Sequence, residues 1–155
     1  MAGHSDNDVV AIINLVNRYT DAINRRDWAT VSDVFAEDGI WDVGGPDAGP
    51  FCFLFEGRGA VVSGIRGLVE GLEFLVQKSF APVITVSGDR ATASVTVEEE
   101  SRAPGAIDGG HIFGMYTDHI RRDADGQWRF ERREFRFIYM ETRQYPGNVL
   151  PDRRG

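Results

Sequence analysis

Arg90-Ala91-Thr92-Ala93-Ser94-Val95-Thr96-Val97-Glu98-Glu99-Glu100 carries the plainest structural signal in the chain. Ala91, Ala93, Val95 and Val97 alternate with Thr92, Ser94 and Thr96, the period of a strand with one dry face and one wet face. Ser87-Gly88-Asp89, just before it, is a turn signal. Outward from this run, strand-like stretches cover about 77–87, 90–103, 110–122 and 126–141, with Asp125-Gly126 marking the last turn. In the final stretch Trp128 and Phe130 alternate with Arg129 and Glu131.

The first half reads differently. Val9, Ile12, Ile13, Val16, Tyr19 and Ile23 have helical spacing, which predicts a helix over 7–25 capped by Ser5, Asp6 or Asn7. At about 100° per residue the apolar stripe centres near Val16 and Ile23. Tyr19 and Asn24 flank it, and Asp21 falls on the far, solvated side. Asp27 is an N-cap candidate for a second helix from Trp28 to about Ala36. Ile40–Val43 reads as a short strand. The glycine- and proline-rich stretch 44–59 reads as a loop or hairpin around Phe51, Phe53 and Phe55. A third helix over 59–75 is weakened by Gly64, Gly67 and Gly71. Helices followed by a run of antiparallel strands predict an α+β fold, with six strands or fewer. One domain is expected over 1–142. A tail over 143–155 is expected to be mobile or laid on a partner subunit.

Composition narrows the partners. The chain has 155 residues, a net charge of −7 and a pI near 4.9, so a basic face for nucleic acid or an anionic membrane is not expected. Cys52 is the single cysteine, which excludes an internal disulfide and fits a reducing, cytoplasmic setting. His4, His111, His119 and Cys52 lack clustered ligand spacing, so no metal is expected. No apolar run is long enough to span a bilayer. No phosphate-cradling glycine loop or nucleophile elbow is present.

Three further pieces carry a family resemblance. They are Arg18-Tyr19 with Ala22, Asn24 and Asp27; Val34-Phe35-Ala36-Glu37-Asp38; and Asp118-His119-Ile120-Arg121 followed by Asp125-Gly126-x-Trp128. Over about residues 8–140 the chain resembles the ketosteroid isomerase and SnoaL-like polyketide cyclase superfamily, whose cone-shaped fold nuclear transport factor 2 also uses. The resemblance implies a curved, mixed or antiparallel sheet wrapped around about three N-terminal helices, with a conical cavity and a homodimer paired through the sheet's outer face.

It also implies chemistry. Tyr19 matches the isomerases' helix tyrosine and Asp118 their strand aspartate, a pair that donates hydrogen bonds to an enolate oxygen. Burial disfavours a carboxylate's charge, and a neutral acid can donate. The isomerases' base falls at Val43. Asp42, one residue earlier, faces the other side unless a bulge near Gly44-Gly45 turns it. The dehydratase branch uses an Asp–His pair. Those positions hold Asn24 and Gln77 here, or Ser79 if the register slips, and neither replacement is a base.

The expected site therefore has Tyr19, Asp118 and Asp42 as catalytic groups. Asn24, Gln77 and Arg133 orient the substrate. Trp41, Phe53 and Tyr116 form the wall. Of the acidic triplet, Glu100 is the candidate base if the strand faces the pocket, and otherwise the triplet is a solvated edge. His111 should face away from Asp118. Arg132, Arg133 and Arg136, set among Phe130, Phe135 and Phe137, also read as a dimer face.

The expected activity is cofactor-free acid–base chemistry on a small, largely apolar, carbonyl-bearing ring compound: isomerisation, cyclisation or elimination. The alternatives are a non-catalytic carrier or sensor, and a partner like the small β-subunit of ring-hydroxylating oxygenases. An enzyme should keep a carboxylate or histidine inside the cavity, whereas a carrier should show only neutral polar groups there.

Overall fold

The computed structural model describes residues 6–150. Three helices precede most of the sheet: α1 (Asp6–Arg25), α2 (Trp28–Val34) and α3 (Arg58–Val69). Seven strands follow and interleave: β1 (Phe35–Val43), β2 (Phe53–Glu56), β3 (Phe74–Ser79), β4 (Val83–Ser87), β5 (Arg90–Arg102), β6 (Asp108–Arg122) and β7 (Trp128–Gln144). Asp6 and Asn7 lie inside α1, and Ser5 and His4 lie outside the described residues. Asp27 caps α2 as expected, its carboxylate accepting from the Thr30 amide at 3.1 Å and the Thr30 hydroxyl at 2.6 Å.

The strands form one curved, open, mixed sheet in the order β2-β1-β7-β6-β5-β3, with β4 beside β3 on the same edge of β5. Only β1 and β7 pair in parallel. The predicted 77–87 strand is two strands, because Pro82 has no N–H to give the ladder. This split and β2 bring the count to seven, and β1 is longer than expected at nine residues. Gly88 and Gly126 turn with φ of 59° and 82°.

Two register shifts fix which side chains reach the interior. β6 and β7 slip between Phe113 and Gly114 and between His119 and Ile120. Across the second slip, Ile120 pairs with Phe130 and His119 with Arg132, so Glu131 is bulged out. The parity of β7 changes there. Trp128 and Phe130 face inward before the bulge, and Arg133, Phe135 and Phe137 after it. Arg133 is thereby buried, while Arg132 and Arg136 stay outside.

α1 lies in the concave side of the sheet and buries Ile12, Leu15, Val16, Tyr19, Ala22 and Ile23. Each fully buried large aliphatic contributes roughly 1.5–3 kcal/mol. Gly64 in α3 is more than a weak helix position: a Cβ there would stand 2.6 Å from the Phe55 ring, so its absence lets β2 pack against the helix. The expected tail is partly fixed. β7 continues to Gln144, and Arg102 donates to the carbonyls of Tyr145 and Gly147. The Tyr145 ring packs edge-on against Phe74, with centroids 5.4 Å apart. The remainder, residues 151–155, lies outside the described residues.

Candidate functional site

Between α1, α3 and the concave sheet lies a cavity of about 150 Å³. Its wall is almost wholly apolar. Phe53, Phe135 and Phe137 supply rings, and Ile65, Leu68 and Leu75 supply aliphatic surface. The polar exceptions are Tyr19, Trp41, Gln77, Glu99 and Tyr116. No Arg, Lys or His among the described residues lines it.

Tyr19 from α1 and Tyr116 from β6 meet hydroxyl to hydroxyl at 3.3 Å, with ring centroids 5.9 Å apart and near-perpendicular planes. Burial drives both phenols above their ordinary pKa, the Tyr19 phenol furthest, so both are neutral donors at any physiological pH. Two hydroxyls joined by one hydrogen bond leave one O–H free for a guest. The indole N–H of Trp41 lies close enough to Tyr116 to oppose that rise, yet it meets no hydrogen-bond geometry with any group.

Beneath the two phenols runs an ion pair that the sequence reading arranged differently. Arg133 donates to both Asp118 oxygens, at 2.8 and 3.0 Å, and both residues are buried. Its guanidinium packs on three rings, 3.8 Å from the Tyr116 centroid, 4.1 Å from Phe130 and 4.2 Å from Tyr19. Burial pushes the Asp118 carboxyl up while Arg133 pulls it down. The Asp118 carboxylate in turn holds the Arg133 pKa up against burial. A bare guanidinium in that place would be prohibitively costly, so the pair stays ionised. Asp118 therefore does not donate into the cavity. Both its oxygens are committed, and the group facing Tyr19 is the Tyr116 phenol. Arg133 likewise sits behind the rings and does not touch the cavity space.

Asp42 is also corrected. No bulge interrupts β1 between Ile40 and Val43, so Trp41 and Val43 face the cavity and Asp42 faces out. There it accepts from Arg132 at 2.6 Å and Arg136 at 3.2 Å. Its carboxyl is held below the ordinary value because these arginines outweigh burial. Asn24 is a clamp: its amide donates to the Gln77 carbonyl at 2.9 Å and accepts from the Gln77 N–H at 2.7 Å. It positions β3 against α1 and is not a wall residue. Trp41, Phe53, Gln77 and Tyr116 do line the cavity.

The acidic triplet divides by parity. Glu100 faces out, where Lys78 lies 3.5 Å away and the Tyr145 hydroxyl 3.5 Å away. Glu98 faces out too, 3.1 Å from Lys78 and 2.8 Å from His111 Nε2. His111 is on that outer side, opposite in parity to Asp118, and its Nδ1 lies 3.1 Å from Glu141. The ligating atoms of Glu98, Glu100 and His111 fall within 4.8 Å of one another, and Lys78 supplies the positive charge there. Glu99 alone faces in. It accepts from Gln77 Nε2 at 3.0 Å, and burial lifts its carboxyl above the ordinary value against the pull of that bond. Glu99 was missed although its signal was present: the buried series Ala91, Ala93, Val95, Val97 continues by twos to 99.

The cavity thus combines a proton acceptor of raised pKa with hydroxyl donors, inside an almost wholly apolar wall. Such a set can move a proton at carbon while stabilising charge on oxygen. No described helix is long and apolar enough to cross a membrane.

Comparison with known proteins agrees with this architecture. No curated protein matches the chain by sequence. Among solved structures, a putative scytalone dehydratase from Novosphingobium aromaticivorans DSM 12444 superposes with a TM-score of 0.76 at 22% identity, covering 98% of this chain and 99% of that one. A type-3 hexachlorocyclohexane dehydrochlorinase from Novosphingobium barchaimii LL02 gives 0.78 at 18% identity, covering 94% and 96%. A putative aromatic ring hydroxylase from Novosphingobium aromaticivorans gives 0.78 at 20%, covering 91% and 96%. At these identities the likeness establishes the fold alone. The profile of the SnoaL-like domain matches residues 6–134, and the chain belongs to that family.

Proposed function

We propose that the cavity binds a small, largely apolar, carbonyl-bearing molecule and performs cofactor-free acid–base chemistry on it. In this reading Glu99 is the base, and Tyr19 with Tyr116 binds the carbonyl oxygen. One observation carries it: a carboxyl of raised pKa shares an otherwise apolar cavity with two neutral phenols. The Glu99 carboxylate takes a proton from the carbon next to the carbonyl. The C–H electron pair becomes the enolate π bond, and charge moves to the oxygen facing the phenols. Return of the proton to another carbon completes an isomerisation. Return to a departing β-hydroxyl completes an elimination of water. One well-placed oxygen donor is worth roughly 3–4 kcal/mol in the transition state.

An ionisable carboxyl inside the cavity favours an enzyme over a carrier, whose pocket would need only neutral polar groups. The test is conversion of a β,γ-unsaturated cyclohexenone to its conjugated isomer, followed by ultraviolet absorbance, with β-hydroxyketone dehydration as a second assay. Catalysis lost in Glu99→Gln and reduced in Tyr19→Phe supports the reading, and neither reaction above the buffer rate in wild type sinks it. Pairing of two copies through the outer face, where Met115 and Tyr139 stand exposed, belongs to the same reading. A monomer in sedimentation at micromolar concentration would remove that part.

A further inference from the structure

Trp41 and Gln77 both line the cavity, and each carries a buried polar atom with no partner, the indole Nε1 and the amide Oε1. They are 8% and 5% exposed. Buried polar groups are nearly always satisfied, so each such orphan calls for an explanation. Their chemical senses are opposite. Nε1 can only donate. The Gln77 amide is oriented by Glu99: its NH2 faces the carboxylate, which only accepts, so the free end is the carbonyl oxygen. On the Trp41 side, the Tyr19–Tyr116 pair adds one more uncommitted O–H. On the Gln77 side, the Glu99 carboxylate adds acceptor capacity. One part of the wall therefore lacks an acceptor and the other lacks a donor.

Charge and size add two constraints. The cavity holds a carboxylate and, among the described residues, no cationic side chain, so an anionic guest would be repelled with nothing to offset its desolvation. A cavity of about 150 Å³ is the size that accepts a single benzene-like ring.

We infer that the substrate is an uncharged single-ring compound polarised at both ends, with an acceptor oxygen placed at Trp41, Tyr19 and Tyr116 and a hydroxyl or N–H donor placed at Gln77 and Glu99. This rests on the acid–base reading for what happens to the ring and stands apart from it for what is bound. Two ends of opposite sense give the pocket a direction.

Calorimetric titration of the wild-type protein with five probes tests the class: cyclohexanone, cyclohexanol, the cyclohexanone bearing a hydroxyl opposite its carbonyl, cyclohexanecarboxylate, and the two-ring ketone decalone. The hydroxyketone should bind at least about fivefold more tightly than either single-function ring, the effect of one added hydrogen bond. The carboxylate should bind at least about tenfold more weakly than cyclohexanone, and decalone more weakly than either ketone. Trp41→Phe should weaken both single-ring ketones alike. Gln77→Met should erase the preference for the added hydroxyl. Equal binding of hydroxyketone and cyclohexanone by the wild type overturns the inference, as does carboxylate or decalone binding on a par with cyclohexanone. These outcomes involve no turnover, so a protein that shows the expected order yet isomerises nothing loses only the proposed reaction.

Discussion

Glu98 and Glu99 are neighbours on β5 and live on opposite sides of one sheet. Glu98 faces out among Lys78 and His111, and hydrogen bonds to those groups hold its carboxyl below the ordinary range. Glu99 faces in among rings and aliphatic side chains, and burial holds its carboxyl above that range. One residue of displacement reverses the sign of the shift. The outer face is a lattice of charges that satisfy each other, and a group there has nothing left for a guest. On the inner face Arg133 claims the Asp118 carboxylate, and the cavity itself keeps one carboxyl, Glu99, beside buried polar atoms that nothing satisfies, which is the condition for binding and catalysis.

The sharpest way to break this contrast is to neutralise each glutamate in turn. Glu99→Gln should lower kcat by about 10²–10⁴, the usual weight of a general base, while Glu98→Gln leaves it unchanged. Similar losses in both would abolish the distinction between the faces.

A second comparison sets the buried ion pair against its outer counterpart. Asp118→Asn strands Arg133 among its rings and should cost about 3–5 kcal/mol in urea unfolding. Asp42→Asn, beside partly exposed Arg132 and Arg136, should cost about 1 kcal/mol or less. Replacing Asp118 and Arg133 together by apolar residues of similar volume should recover most of the larger loss.

The pH dependence should differ in sign. As a base Glu99 must be ionised, so kcat/KM should rise as pH climbs through a carboxyl pKa above the ordinary 4.5 and then level off. The same shift means the folded state holds the Glu99 proton more tightly than the unfolded chain does. The stability this group adds is full at low pH and is lost as pH rises through its folded value. Glu99→Gln should therefore raise Tm by a few degrees at neutral pH, and the gain should vanish on acidification.

The smallest effect is expected at Glu98, whose depressed pKa stabilises the fold above the unfolded value and is lost as pH falls. Glu98→Gln should lower Tm only slightly at neutral pH and not at all in acid. A gain in Tm at neutral pH would contradict the outer-face assignment.

The fold was legible because strand alternation and helical spacing are local. The 91–97 series and the α1 stripe each report burial directly. The split at Pro82 is also local, since a proline cannot donate to a strand ladder. Site geometry was harder to read, because it depends on sheet register. Parity alone points Asp42 outward, and its expected place in the site depended on a bulge that β1 does not have between Ile40 and Val43. Arg133 could not be placed by parity, since its inward turn comes from the bulge at Glu131, which is visible only once β6 and β7 are paired. Asp118 shows a different limit. Its burial was foreseen, but not the arginine that claims both its oxygens, and that partner decides whether a buried acid donates or stays charged. Glu99 needed only the count by twos to be carried two residues further.

Phe135 lies in the cavity wall with its ring over Gly114, where an added Cβ would overlap the ring. The room offered to a guest is thus governed from a position that no guest touches. Enlarging residue 114 would tip the phenyl group toward the void and shrink it, so redesign confined to the visible lining would overlook the lever that sets its capacity.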